Sequence, residues 1–264
     1  MRITHLFSPL LVLGLAACAT TARTDEEQAM ATSLEARDIV PASTAQRDAI
    51  RSQDLLTQAT FWAEVYDINP SDAEAALELS NVLRRMGNIS RSGEVAQQAL
   101  VQHPENPGLL LAFGSALAAS GWGEHAIEPL QRAAQLDSNN WQIHNTLGVS
   151  FEQAGQDEAA RHYFAEALRL SPAEPAVLSN LALSHALSGN PDMAENMLRE
   201  AMIRPGADAT IRQNLALVIA LQGRFDEAED MARIDVTPQM AEANMDYIRS
   251  MLTSQRRYDS VIAD

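Results

Sequence analysis

Residues 141–174 read WQIHNTLGVSFEQAGQDEAARHYFAEALRLSPAE, and this stretch decides the fold. Apolar residues at helical spacing lead to Gly155, a second helical run follows it, and Pro172 closes the second run. Glycine readily takes the left-handed conformation that ends a helix, and proline cannot continue one, so the segment predicts two antiparallel helices, A and B. The same punctuation recurs outward in both directions. Gly87, Gly121, Gly155, Gly189 and Gly223 are separated by 34 residues in every interval. Five residues after each glycine stands a small residue, Ser92, Ala126, Ala160, Ala194 or Ala228, and eight before it a large apolar one, Leu79, Phe113, Leu147, Leu181 or Leu215. The position after the large residue is small throughout: Ser80, Gly114, Gly148, Ala182, Ala216. Small residues at both places let the two helix backbones approach, with the large residues filling the space between them. Pro191 fits the first turn of a helix B, where its missing donor is not needed.

This pattern resembles the tetratricopeptide repeat, with units starting at Ala73, Pro107, Trp141, Pro175 and Ala209. In the Trp141 unit, Leu147, Gly148, Phe151, Gly155, Ala160, Phe164, Ala167 and Pro172 stand at the positions that mark the family. Departures are Ser138 for the closing proline of the second unit, Pro205 one residue early, and Asp235 in the last unit, residues 209–236. A degenerate unit over about residues 39–72 precedes these, with Trp62, Val65 and Pro70 in register but Gln53 where glycine would be. The resemblance covers residues 43–236 and implies an all-α, right-handed solenoid. Thr237, Pro238 and the stripe Ala241, Met245, Ile248 and Leu252 predict a capping helix over 238–253, and Arg256–Asp264 is expected to fray.

Composition agrees with this class and removes others. The 264 residues include 44 alanines and only 5% aromatics, which favours packed helices over a β-sandwich or barrel. All 19 cationic side chains are arginine, so there is no P-loop lysine and no Schiff-base nucleophile. A single cysteine rules out an internal disulfide and a cysteine-rich zinc site. A formal charge of -16 repels nucleic acid and anionic head groups. His103, His125, His144, His162 and His185 form no metal-ligand pair at helical spacing, and their repeat positions differ. Asp226, Glu227, Glu229 and Asp230 open a helix, where negative charge suits the dipole. With no nucleophile elbow, zinc-protease motif or phosphate loop, no enzyme activity, cofactor or metal is expected.

The N-terminus carries the strongest single-residue signal. Arg2 precedes an apolar run, Leu6–Ala17, too short to span a bilayer, and the run ends in Leu15-Ala16-Ala17-Cys18. That is a signal-peptide outline for residues 1–17, and Leu-Ala-Ala-Cys resembles the bacterial lipobox. The resemblance implies lipidation of Cys18, cleavage before it, and a lasting tether through several acyl chains. An ordinary secretory signal is the alternative. Ala19, in place of the aspartate that serves as an inner-membrane retention signal, implies the periplasmic face of the outer membrane. Residues 18–42 read as the lipidated N-terminus and tether, with a short helix over Asp25–Arg37 after a Thr24–Glu27 capping box.

In the tetratricopeptide family helix A lines a concave groove through repeat positions 2, 5, 9, 12 and 13. These positions hold Glu74, Leu77, Asn81, Arg84 and Arg85 in the first unit, Leu111 and Ser115 in the second, and Asn145 and Val149 in the third. They hold Leu183 and Leu187 in the fourth unit and Gln213, Leu217 and Leu221 in the fifth, so the groove grades from charged to apolar. The leucines either hold an amphipathic helix or extended segment of a partner or pack against the neighbouring repeat. For a carboxylate-gripping mode only Arg84 and Arg85 are available. Trp122, after Gly121, is a hot-spot candidate if exposed.

Residues 212–217 (RQNLAL), 221–229 (LQGRFDEAE) and 244–252 resemble the TadD family of lipoproteins, which serve assembly of tight-adherence (Flp) pili. That resemblance implies a non-enzymatic, outer-membrane-tethered factor acting on the pilus secretin or its associated proteins, with no nucleic acid or small-molecule substrate. An adaptor of peptidoglycan hydrolases or of another envelope machine is the second reading.

Overall fold

A computed structural model describes residues 42–262, all of whose regular elements are helical. The signal segment, Cys18 and the tether lie outside the described residues. In chain order the helices are α1 (Thr44–Ile50), α2 (Leu55–Ile68), α3 (Ala73–Arg85), α4 (Ile89–Leu100), α5 (Pro107–Ala119), α6 (Gly123–Leu136) and α7 (Trp141–Gln153). They continue as α8 (Asp157–Leu170), α9 (Pro175–Leu187), α10 (Pro191–Met202), α11 (Ala209–Leu221), α12 (Phe225–Ala232) and α13 (Pro238–Ile262). Thus α3, α5, α7, α9 and α11 are A helices, and α4, α6, α8, α10 and α12 are B helices.

The periodic glycines end every A helix in the same way. Their φ angles lie between 70° and 83°. At Gly87 the amide of Asn88 reaches back to the Leu83 carbonyl at 2.8 Å and the Gly87 amide to Arg84 at 3.0 Å. This double closure satisfies carbonyls that a helix end leaves open, and it recurs from Trp122 to Leu117, Gln156 to Phe151, Asn190 to His185 and Arg224 to Ile219. A second 34-residue signal sits at the other end of helix A. The side chains of Asp72, Asn106, Asn140 and Asp208 accept hydrogen bonds from amides in the first turns of α3, α5, α7 and α11, while α9 begins with Pro175 after an uncapped Glu174.

The A–B seams carry the predicted small residues, all buried. Over Gly114 lies Leu130, and over Gly148 lies the Phe164 ring, so close that a β-carbon on either glycine would fall 2.4–2.5 Å from its neighbour. In the first unit Ser80 and Ser92 replace this fit with reciprocal hydrogen bonds, each hydroxyl donating to the other's carbonyl at 2.9 and 2.8 Å. The large apolar series behaves less uniformly than expected. Leu79, Leu147 and Leu215 are buried, whereas Phe113 and Leu181 are only half-buried. Phe113 lines an open hollow on the outer side of α5.

The backbones of successive A helices approach one another, whereas those of successive B helices stand farther apart. The A helices therefore line the inner side of the curve and the B helices its outer side. The N-terminal pair α1–α2 closes the first core without a glycine: Gln58 donates to the carbonyls of Gln53 and Arg51, and Asp54 caps α2. Arg47 and Arg51 stand over the fully buried Trp62 ring, their guanidinium carbons 5.7 and 5.9 Å from its centroid, and pair with Asp72, Glu74 and Glu78 of α3 and its cap.

At the other end α12 spans eight residues, against twelve in α10. One helical turn is missing, so the core positions of α13 arrive four residues early. Ala241, Met245 and Ile248 consequently occupy the places that Ile211, Leu215 and Val218 hold in α11, and all six are buried. Thr237 supplies the cap, accepting from the Met240 amide at 3.3 Å. The helix does not stop near residue 253; its helical backbone continues to Ile262. Where α11 carries Ala216 and Ile219 toward its own helix B, α13 carries the ion pair Asp246–Arg249, and Arg249 stacks over the Phe225 ring at 4.5 Å. That charged face ends the stack, because no further apolar layer is offered.

Candidate protein-binding groove

The inner surface is built from one face of each A helix, and its character changes along the solenoid. Near α3, α5 and α7 a hollow of about 430 Å³ is lined by Leu77, Asn81, Arg84, Leu111, Ser115, Trp141, Gln142 and Asn145, together with four smaller or flanking residues. No carboxylate lines it, in a chain with 35 acidic residues. Glu74, a groove residue by position, is drawn away by Arg47 of α1 and Arg51 at its C-terminal end. Arg84 and Arg85 are exposed and, among the described residues, form no ion pair, so their charge faces the groove end uncompensated. Asn145 accepts from the Asn180 amide at 2.9 Å, which fixes its orientation and leaves its own amide N–H groups to donate.

Toward the C-terminus the surface turns apolar, but not through all the residues that periodicity nominates. Leu183, Leu217 and Leu221 are half-buried against the core of the last two repeats, and Val149 and Leu111 against the central core. Leu183 and Leu221 thus pack between repeats, one of the two readings open to the sequence, while Leu111 and Leu217 also line the inner hollows. Gln213 is engaged as well, donating to the Ala232 carbonyl and the Asp235 carboxylate at 3.3 and 3.4 Å. Leu187 remains 73% exposed at the end of α9.

The structure adds residues that a 34-residue projection misses. Because α13 is shifted by one turn, Tyr247 and Met251 stand where Leu217 and Leu221 stand in α11, and Met240 where Thr210 stands. All three are substantially exposed, Tyr247 by 65%. With Gln213, Asn214, Leu217 and Asn244, Tyr247 and Met251 border a second hollow of about 320 Å³ lined also by Met245 and Ile248. The apolar half of the groove therefore runs through α13, which is more than a cap. Methionine adapts to irregular partners, and an exposed tyrosine offers contact area at low entropic cost. Pro238, as the first residue of a helix, was the signal that could have located this shift.

Among the described residues no three His, Cys, Asp or Glu side chains gather as a metal site, and no helix is long and apolar enough to cross a membrane. Burial and the nearby Arg161 guanidinium hold the His185 imidazole below its ordinary value, against the Glu152 carboxylate. His185 thus belongs to a polar contact between repeats, with Arg161 donating to the Ser188 hydroxyl at 2.9 Å.

Comparison with known proteins agrees with this architecture. Two family descriptions, both "Tetratricopeptide repeat", match residues 77–140 and 111–175, and residues 175–200 and 212–233. A tetratricopeptide repeat-containing thioredoxin, TTL4 of Arabidopsis thaliana, is 31% identical over 93 residues, covering 35% of this chain and 14% of that protein. The chain thus spans about one-seventh of that relative's length. A thermophilic tetratricopeptide-repeat protein of Thermus thermophilus has the same fold at 20% identity, with a TM-score of 0.55 over 62% of this chain and 90% of that one. The APC/C hetero-tetramer Cut9–Hcn1 reaches a TM-score of 0.63 at 18% identity, over 73% of this chain and 38% of that one. At these identities the structures speak for the fold alone. Such repeats are in general non-enzymatic scaffolds, and neither matching description is a catalytic one. The chain is an all-α tetratricopeptide-repeat protein whose solenoid is that of a protein-interaction scaffold.

Proposed function

We propose that this chain is an outer-membrane-tethered scaffold for assembly of a tight-adherence (Flp) pilus, with Cys18 as the lipidated residue and the inner groove as the seat of a secretin-complex component. The observation that carries the binding half is the two-ended groove. Arg84 and Arg85, without carboxylate partners among the described residues, stand at one end, and Leu187, Met240, Tyr247 and Met251 stay exposed at the other. Side chains of this kind sit exposed at functional contacts more readily than on inert surface. The pilus assignment rests on the resemblance of residues 212–217, 221–229 and 244–252 to TadD lipoproteins, and the address on Leu15-Ala16-Ala17-Cys18 and Ala19. An adaptor of peptidoglycan hydrolases would use the same fold and anchor, and differs in what it captures.

Cys18→Ser tests the tether. The expected outcome is release of the chain from the outer-membrane fraction and loss of surface pili. Unchanged fractionation together with normal piliation would refute the anchored reading.

A further inference from the structure

The outer side of the solenoid carries a second apolar trough, separate from the groove. On α5, Phe113 lies about 200° around the helix from both Leu111 and Ser115, the residues that face the inner hollow. Phe113, Leu110 and Leu117 form the floor of an open trough between the B helices α4 and α6. Leu100 on α4 and Pro129 on α6 form its walls, and Trp122, 57% exposed, stands over it. On one side of Trp122 the hollow measures about 520 Å³. On the other side a hollow of about 210 Å³ shares Phe113, Leu117 and Trp122 and is bordered by Gly93 and Gln97. The two hollows adjoin at those shared side chains.

Charge at the rim says what kind of segment fits. The lining arginine is already engaged, Arg132 with Glu105 and Gln135, and the Glu94 carboxylate of the smaller hollow pairs with Arg91. Glu128 lines the larger hollow and, among the described residues, has no cation within ion-pair distance. Pro129 lies inside α6 and has no N–H to give the carbonyl of His125, which leaves an acceptor beside the same hollow. The trough thus offers an uncompensated carboxylate, a backbone acceptor and an exposed indole face around an apolar floor. An arginine or lysine satisfies the first two by donating and the third by cation–π contact, while apolar neighbours fill the hollows.

We infer that this outer trough is a second docking surface, independent of the inner groove, for an amphipathic protein segment that places arginine or lysine beside Glu128 and apolar side chains against Phe113, Leu117 and Trp122. A scaffold with two such faces can hold two proteins at once, which goes beyond the single-groove reading above.

The test places the photocrosslinking residue p-benzoylphenylalanine at position 122 of the full-length chain in cells that express it natively, with the crosslinked peptide sequenced by mass spectrometry. A second placement at the exposed Gln97 covers any misfolding caused by the first. The expected adduct is a peptide of another protein with arginine or lysine three or four residues from an apolar side chain. Glu128→Lys should lower its yield at least fivefold, and Glu64→Lys on α2 should not. Absence of adducts at both placements, adducts only with this chain or with lipid, a peptide lacking a cation, or indifference to Glu128→Lys would overturn the inference. The same probe at Leu187 separates the two readings. Adducts at 187 without any at 122 or 97 would sink the outer trough and leave the groove standing, and the converse would do the opposite.

Discussion

Gly148→Ala reverses the usual sign of a glycine substitution. In an exposed helix interior, alanine in place of glycine stabilises by roughly 1 kcal/mol. Here a β-carbon at position 148 would meet three atoms of the Phe164 ring at 2.4, 2.5 and 2.9 Å, where carbon atoms pack at about 3.5–4.0 Å. The ring is 2% exposed and sits beside Tyr163, which itself stacks on Phe151 at 5.1 Å, so it must retreat about 1 Å into packed surroundings. Overpacking of this kind costs about 1–3 kcal/mol, and the size of the required shift points to the upper end. Net of the propensity gain, Gly148→Ala should destabilise by about 2 kcal/mol. The next repeat supplies the control. Its register places Ala182 opposite Leu198, both fully buried, so Gly148→Ala with Phe164→Leu recreates a pair the chain already accommodates. Urea denaturation followed by helical circular dichroism measures all three variants, and hydrogen exchange of α7 and α8 localises the effect. The double variant should be no less stable than Phe164→Leu alone, a coupling of at least about 2 kcal/mol. A more stable Gly148→Ala, or strictly additive effects, would refute the idea that these glycines exist for the aromatic ring opposite.

Glu195 ties α10 to the turn between α11 and α12. Burial of its carboxyl opposes ionisation, but hydrogen bonds from the Gln222 amide and from Arg199 and Arg224 overcome this and hold it at about 2, below the ordinary 4.5. A carboxyl so depressed contributes stability that is complete above its unfolded value and is lost as pH falls through about 2. Glu195→Gln should therefore unfold at lower denaturant than the parent at pH 7, with the difference shrinking from about pH 4.5 downward; a constant difference across that range would contradict the assignment. At the other terminus, Arg47→Ala leaves Asp72 without its main partner, in a pair whose side chains are 12% and 15% exposed. Breaking so enclosed a pair should cost about 2–3 kcal/mol locally and open Trp62 to acrylamide quenching, while an unchanged quenching constant would count against the docking of α1 on α3.

Much of this architecture is legible in the chain because it is periodic. The five glycines, the small residues behind them and Pro107, Pro175 and Pro191 act locally, through backbone conformation and a missing donor, so their spacing reports helix ends directly. What the period does not carry is the packing around each position. Phe113 holds the same repeat position as Leu147, yet one is half-buried and the other buried, a difference that depends on the surrounding side chains and not on repeat position. Leu183, Leu217 and Leu221 show the same limit: their positions on helix A point to the groove, but their length lets them reach the inter-repeat core. Tyr247 and Met251 were hidden for a different reason, the turn lost from α12, which breaks the count of 34 where the groove is most apolar. The exposed residues Leu187 and Tyr247, and not Leu183 or Leu217, are consequently the places to perturb binding without disturbing the fold.

The most direct measurement is capture from crosslinked envelopes by the full-length chain, comparing the parent with Leu187→Asp combined with Tyr247→Asp, and identifying the captured proteins by mass spectrometry. Both side chains are at least 65% exposed, so helicity and unfolding should be those of the parent. The account predicts a secretin-complex component captured by the parent and lost, by tenfold or more, from the double variant. Equal capture by the two chains, or a parent that retains only peptidoglycan hydrolases, would contradict it.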